Sequence, residues 1–207
     1  MFGFSHIKRR LVMSKKILLA GLVGGIVMYA WVFITHTILP LGMVGIKSMP
    51  NEDQVLTTMQ DNIKESGFYY FPGWEHSPDM TKEQQKEAIQ KMEEKMLKGP
   101  NGILVYHPGG QPAMSLKQLL IELLSNILGA LVAAYLLSKA VGGIGSFGMR
   151  VLFVALLGLF ASLAINIPYW NWYGFPGSFT LAAIFYEVVG WGLAGLPLAA
   201  MIKRRLV

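Results

Sequence analysis

Cysteine is absent from the 207-residue chain, and charged residues are scarce at 14%. Without a thiol, the chain can form no disulfide, no thiolate nucleophile and no cysteine-ligated metal site. A soluble domain normally has about a quarter charged residues, so the deficit indicates that much of the chain is solvated by lipid. Catalytic signatures are missing too, since the sequence has no Ser–His–Asp arrangement, no phosphate-binding P-loop and no dinucleotide-binding fingerprint.

Four long apolar segments account for the low charge. They cover residues 17–39, 116–137, 151–167 and 179–202. A helix needs roughly 20 residues to cross about 30 Å of hydrocarbon, and these segments have about that length, with 151–167 the shortest. The sequence therefore predicts an all-α membrane protein built as a bundle of four transmembrane helices, with the lipid bilayer as its first partner.

The charged residues are distributed unevenly around these spans. Lys and Arg cluster in residues 1–16, 138–150 and 203–207, which fall on one side of a four-span protein. Ten of the twelve acidic residues lie in residues 40–115. Because positive charge beside a span marks the cytoplasmic side, we expect both termini to be cytoplasmic and residues 40–115 to be outside a cell membrane, of the bacterial inner-membrane type. The net charge of +6 thus follows membrane orientation and does not indicate a nucleic-acid partner.

The beginning of the chain has the basic and apolar regions of a signal peptide. No small-x-small cleavage site follows them, and the apolar region ends near Pro40. We therefore expect an uncleaved membrane anchor. Met13 offers a second start codon, so the sequence leaves open whether translation begins at Met1 or Met13.

Residues 40–115 are patterned like a small folded segment. Helices are predicted after Asn51 and over residues 81–98, and short strands over 68–71 and 103–107. We therefore expect a small α/β extracytoplasmic cap between the first two spans. A segment of this size buries little core alone, so we expect it to rest on the spans or on a partner.

Residues 168–178 are predicted as an outer aromatic loop at headgroup level, with a sugar- or quinone-stacking site as the alternative.

Small residues recur at helical spacing along each span. Gly21 and Gly25 form a GxxxG motif, which permits close helix approach either in a dimer or within one chain. Gly129, Gly158 and Gly190 occupy similar stripes on the other three spans. These five glycines are the predicted helix-packing positions.

Polar residues on the same stripes suggest a pocket. Glu122 and Glu187 are the only acidic residues within the spans, where ionisable groups are costly and usually face a bundle interior. Under the alternating topology, His36, Asn126 and Asn166 fall with them in the outer half of the bilayer. These five side chains are the candidate ligand or proton pocket.

Three interpretations of this pocket remain open. His36, Glu122 and Glu187 are ligand types for a divalent metal, although no HExxH or ExxH spacing supports it. A buried carboxyl group can instead carry protons or bind a small ligand. The third interpretation is structural, with the carboxyl groups protonated, or hydrogen-bonded to Ser125, Asn126 and Asn166, so that they lock the bundle. A bis-histidine haem is less favoured than a metal ion because only His36 lies in a span, and no cofactor is required by the sequence.

The layout of four spans with a long first outer segment is similar to that of claudin-like proteins, but their W-x-x-W motif and paired cysteines are absent. We expect a non-enzymatic accessory or interaction subunit of a larger membrane complex, with the first span and the outer segment contacting a protein partner or a second copy. The alternative is a small membrane enzyme, or a proton or small-ligand carrier, that uses Glu122, Glu187 and His36.

Overall fold

The computed structural model describes residues 15–74 and 76–203. Several predicted features lie outside these residues, namely Lys8, Arg9 and Arg10 of the basic N-terminus, the second start Met13, and Arg204 and Arg205 of the basic tail. The described chain runs through helix α1 (Lys15–Phe33), a π-helical turn (Ile34–Ile38), a 3-10 turn (Leu41–Met43), α2 (Glu52–Asn62), β1 (Gly67–Phe71), α3 (Lys82–Lys98), β2 (Gly102–Tyr106), α4 (Leu116–Ala140), α5 (Phe147–Tyr173) and α6 (Gly177–Met201).

Within the described residues, four helices are long and apolar enough to cross a membrane. They are α1 together with its π-helical turn, α4, α5 and α6. This confirms the prediction of a mostly helical chain with four segments long and apolar enough to span a membrane.

The third of these helices is longer than its predicted span. The sequence predicted a span over 151–167 with loops on either side, whereas α5 extends over Phe147–Tyr173. Its start is earlier because the Ser146 Oγ accepts a hydrogen bond from the Met149 backbone N–H at 3.2 Å, as an N-cap does. The predicted span stopped before Pro168, but the helix continues past this residue to Tyr173. Pro168 removes one amide donor without ending the helix. Residues 168–173 of the predicted aromatic loop are therefore helical.

The chain divides into two compact units. The helical unit comprises the described parts of residues 1–45, 114–168 and 176–207. The sheet unit comprises residues 46–113 and 169–175, so the last turn of α5 belongs to it.

Close backbone approach holds the helical unit together. A Cβ atom on Gly25 would overlap the backbone of Ile127 in α4, and one on Gly21 would lie 2.9 Å from the Leu131 Cα atom. The two glycines of the GxxxG motif therefore face α4 of the same chain. Gly190 of α6 is covered instead by the side chains of Met28 and Trp31 of α1. Small residues at these contacts let the helix axes approach, which is how helices associate in lipid.

One end of the helical unit carries a small apolar core and a buried arginine. The fully buried core side chains include Ala20, Ala134, Leu137, Val154 and Leu198. Arg150 in the first turn of α5 is only 7% exposed, and its Nε atom donates to the Ala199 carbonyl of α6 at 3.2 Å. Its second bond, from a guanidinium nitrogen to the Gly145 carbonyl at 2.9 Å, fixes the α4–α5 connection. A cation near the carboxyl end of α6 is also favoured by the helix dipole.

The sheet unit contains α2, α3 and a two-stranded antiparallel sheet. In the sheet, Gly67 pairs with Tyr106 and Phe71 with Gly102. Helix α3 begins with a capping box, in which Thr81 accepts from the Gln84 backbone and the Gln84 side chain accepts from the Thr81 backbone. The predicted order of helix, strand, helix and strand is present, although each strand has only five residues.

Candidate functional site

The first member of the predicted pocket, His36, lies in the π-helical turn after α1. Its ring centre is 5.2 Å from that of Tyr186 in α6, with the ring planes at 72°. The His36 Nδ1 atom lies 2.9 Å from the Val32 carbonyl oxygen, which can only accept a hydrogen bond. The Thr35 Oγ1 atom lies 3.1 Å from the same Nδ1 atom. Single π-helical turns occur often at functional sites, and here the turn directs a histidine toward α6.

Glu122 is held by its own helix. The Asn126 Nδ2 atom donates to the Glu122 Oε1 atom at 2.8 Å and to the Glu122 carbonyl at 2.9 Å. Asn126 is 7% exposed, whereas Glu122 is exposed on the surface of the helical unit. The amide thus fixes the carboxylate from the buried side of α4, and the Oε2 atom has no hydrogen-bond donor among the described residues.

Glu187 is held in the same manner on α6. The Trp191 Nε1–H donates to the Glu187 Oε2 atom at 3.1 Å. The indole itself lies between two other helices, because a Cβ atom would come within 2.8 Å of it at Gly129 of α4 and within 2.6 Å at Gly158 of α5. Two of the predicted packing glycines therefore accommodate one tryptophan ring, and that ring orients the carboxylate.

The structure brings four of the five predicted pocket residues near one another, since Asn126 is bonded to Glu122. Glu187 of α6 is within electrostatic range of Glu122 of α4 and of His36 after α1. Tyr186 is in range of both carboxylates as well as in ring contact with His36. We call His36, Glu122, Tyr186 and Glu187 the carboxylate cluster.

Asn166 is not joined to the carboxylate cluster. Its Nδ2 atom donates to the Ser162 Oγ atom at 2.8 Å on its own helix, α5. The prediction placed Asn166 in the pocket because helical spacing puts it on the small-residue face. That face of α5 contacts Trp191 through Gly158 instead.

A metal site has little geometric support. No group of three or more His, Asp or Glu side chains within the described residues is placed to hold a metal ion. His36, Glu122 and Glu187, the candidate ligands, therefore do not form such a group.

The polar side chains of the pocket do not bond from one helix to another. The bonds of Glu122, Asn166 and Glu187 each join residues four apart on one helix. Hydrogen bonds between helices come from Trp31, whose Nε1–H donates to the Tyr186 carbonyl at 2.8 Å, and from Arg150. Of the bonds in the structural interpretation, the one between Glu122 and Asn126 is present, and it lies within α4.

Three aromatic residues near the pocket were missed by the sequence analysis. Trp31, Tyr186 and Trp191 contact or orient the predicted residues, yet the stripes were drawn only from small and polar side chains. Trp191 could have been found, because it lies one helical turn after Glu187 and an indole N–H in a span requires an acceptor.

A second candidate surface lies on α3 in the sheet unit. A cleft of about 250 Å³ has an apolar wall that includes Trp74, Met80, Ala88 and Met92, with Lys91 and Lys95 beside it. A neighbouring, more open cleft continues past Lys95 and Lys98 to Pro100. Lys91 is paired with Glu87 at 2.8 Å. Glu87 also lines the first cleft and Glu94 the second, so the surface carries both signs of charge and suits a protruding apolar side chain.

No family model, no curated protein and no solved structure matches the chain.

Proposed function

We propose that the protein is a non-enzymatic accessory or interaction subunit of a larger complex in a cell membrane. In this proposal both termini are cytoplasmic and residues 40–115 lie outside, following the positive charge of Lys15, Lys16, Lys139 and Arg150. The partner, or a second copy, contacts the sheet unit.

The observation that carries this proposal is how little the sheet unit buries. Tyr106, at 9% exposed, is its only buried residue among those described, and neither α2 nor α3 contains one. Large apolar side chains remain open to solvent, including Leu97 at 87% and Ile89 at 46%. A unit with so little core is marginal alone, because burial of apolar area is the main term that favours folding. A protein partner would supply the missing cover.

The α3 cleft is the proposed contact. It combines an apolar wall with the charged side chains of Glu87, Lys91 and Lys95. The exposed lipid-facing sides of the spans, by contrast, need no protein partner, since lipid covers them equally well.

Native mass spectrometry of the protein, extracted gently from its own membrane, tests the proposal. We expect a second polypeptide in fixed stoichiometry, lost when Ala88→Trp fills the cleft and retained in the matched variant Gln90→Trp, which adds the same ring on an exposed site of α3 outside the cleft lining. A lone monomer with a protease-resistant sheet unit would overturn the proposal. Equal retention in the two variants would move the contact away from the cleft.

A second candidate function is favoured by the carboxylate cluster. We propose, as the alternative, a small membrane enzyme or a proton or small-ligand carrier that uses Glu122, Glu187 and His36. The supporting observation is that these residues come from three different parts of the chain, and each carboxylate has one oxygen without a donor among the described residues. Simple packing contacts would not require this convergence.

Glu122→Gln and Glu187→Gln test this alternative, because glutamine keeps the shape and removes the charge. In proteoliposomes with an internal pH dye and an imposed membrane potential, the wild-type protein is expected to pass protons and both variants to be inactive with unchanged melting temperatures. The matched control is Asn166→Asp, which adds a carboxyl group outside the cluster. Equal proton leak through wild-type and variant proteins would reject the carrier, and a large fall in melting temperature would make the carboxylates structural.

A further inference from the structure

One face of the two-stranded sheet is apolar and open. Phe68 pairs with Val105 and Tyr70 with Ile103, and cross-strand partners place their side chains on the same face. Phe68 and Val105 are each 61% exposed. The opposite face carries Tyr106, which is 9% exposed. Neither strand contains a charged residue, so the open face has no charged side chain from the strands that would favour contact with water.

This open face continues into the aromatic end of α5. The ring of Phe68 contacts the ring of Tyr173, with centres 6.3 Å apart and planes at 81°. Tyr173 in turn contacts Tyr169 at 5.8 Å, and Tyr169 stacks on Phe175 at 5.4 Å. All of these residues belong to the sheet unit. They form one connected aromatic surface rather than two separate patches.

The end of α5 has a defined depth in a bilayer. Helix α5 is long and apolar enough to cross a membrane, and its last turns carry Tyr169, Trp170, Trp172 and Tyr173. Trp172 is 75% exposed. Tyrosine and tryptophan at the end of a span lie at the headgroup level, where an apolar ring and a polar tip are both solvated. A side chain in ring contact with Tyr173 lies at nearly the same depth.

We infer that the open face of the β1–β2 sheet, defined by Phe68, Val105 and Tyr173, lies in the headgroup region of the lipid bilayer. The sheet then rests on the membrane surface, and lipid covers the cross-strand pair that protein leaves exposed. A two-stranded sheet is marginally stable in water, and packing one face against the bilayer gives it the support that a third layer would give. This inference is independent of the proposed partner, because it requires only lipid and the protein itself.

The absence of cysteine allows a direct test with single labels in the full chain. Val105→Cys carries a nitroxide on the open face, and Leu97→Cys carries the same label on α3, where the native side chain is 87% exposed. Both proteins are reconstituted in nanodiscs of phosphatidylcholine with phosphatidylglycerol. Collision rates of the label with oxygen, which concentrates in hydrocarbon, and with a water-soluble nickel chelate are measured by electron paramagnetic resonance.

We expect the oxygen-to-nickel accessibility ratio to be several-fold higher at position 105 than at position 97. Phe68→Cys provides a second label on the same face, which guards against local disturbance by the first, and it should agree with Val105→Cys. Equal ratios at positions 105 and 97 would overturn the inference. Protection of the position 105 label from both reagents would overturn it too, because protein and not lipid would then cover the face.

Discussion

The helical unit and the sheet unit bury their side chains in different ways. In the helical unit, small residues such as Ala20, Ala130 and Ala134 are completely buried, and glycines receive side chains from neighbouring helices. In the sheet unit, Tyr106 is the one buried residue among those described. Lipid solvates an apolar side chain as well as another helix does, so helices in lipid associate through close fit of small residues. A unit in water depends on buried apolar area, and the sheet unit has little of it.

The largest expected effect comes from replacing one tryptophan by alanine in each unit and comparing the losses of stability. Trp191→Ala removes an indole that lies between α4 and α5, and the cavity left should cost about 3–5 kcal/mol of unfolding free energy. Trp74→Ala removes an indole that is 51% exposed in the sheet unit and should cost about 1 kcal/mol or less. Unfolding of the purified protein in mixed micelles at increasing SDS measures both. Similar losses for the two variants would contradict the difference between the units.

The glycine contact of α1 with α4 predicts the next largest effect. Gly25→Ala places a Cβ atom against the Ile127 backbone, which cannot rotate away as a side chain can, so we expect a loss of about 1–3 kcal/mol. Gly148→Ala is the matched control in α5, because nothing lies within 4 Å of its added Cβ atom. The melting temperature of each variant in detergent is the measurement. A stable Gly25→Ala protein would show that α1 and α4 are loosely packed.

In the sheet unit, helix capping should matter more than core packing. Thr81→Ala removes the capping box of α3 and should cost this helix about 0.5–2 kcal/mol, because the Gln84 N–H loses its acceptor. Hydrogen exchange of α3 amides should become faster, while exchange in α4 stays unchanged. Gln90→Ala, at an exposed position inside α3, serves as the control. Faster exchange in both α3 and α4 would indicate that the two units unfold together.

The smallest predicted effect concerns pH and the surface of α3. A hydrogen bond from Lys91, together with its positive charge, lowers the pKa of Glu87 below its ordinary value of 4.5. A folded-state pKa below the unfolded one means that the stabilisation is present above pH 4.5 and is lost as pH falls through the folded value. A carbon-13 NMR titration should find that Lys91→Gln moves the Glu87 pKa back up. No change would show that the pair is not formed in solution, as is common for exposed ion pairs.

The parts of the fold that the sequence could predict are those set by local pattern. Length and hydropathy identified the four spans, because crossing a bilayer requires a continuous apolar run. The helix predicted over residues 81–98 agrees with α3, at Lys82–Lys98, almost to the residue. The end of α5 was misjudged, because Pro168 ends a helix only where the lost amide bond and the ring clash outweigh the turns that follow.

The candidate site was predictable in its members more than in its bonds. Glu122, Glu187 and His36 could be named because charge within a span is rare, and the structure brings them into electrostatic range. Their hydrogen-bond partners could not be predicted, because helical spacing indicates which face of a helix a residue occupies but not the rotamer of its side chain. The use of Trp191 as both a packing element and a donor to Glu187 depends on glycines in two other helices.

By itself, the sequence determined that this chain has four apolar helices and a short polar segment with helices and strands. These elements could be predicted because each depends on residues that are close together in the sequence. Only the tertiary structure decided that the GxxxG motif faces α4, that Asn166 is apart from the carboxylates, and that Phe68 contacts Tyr173. These pairs are far apart in sequence, and which of them meet is set by the fit of whole helices and strands, which no local pattern records.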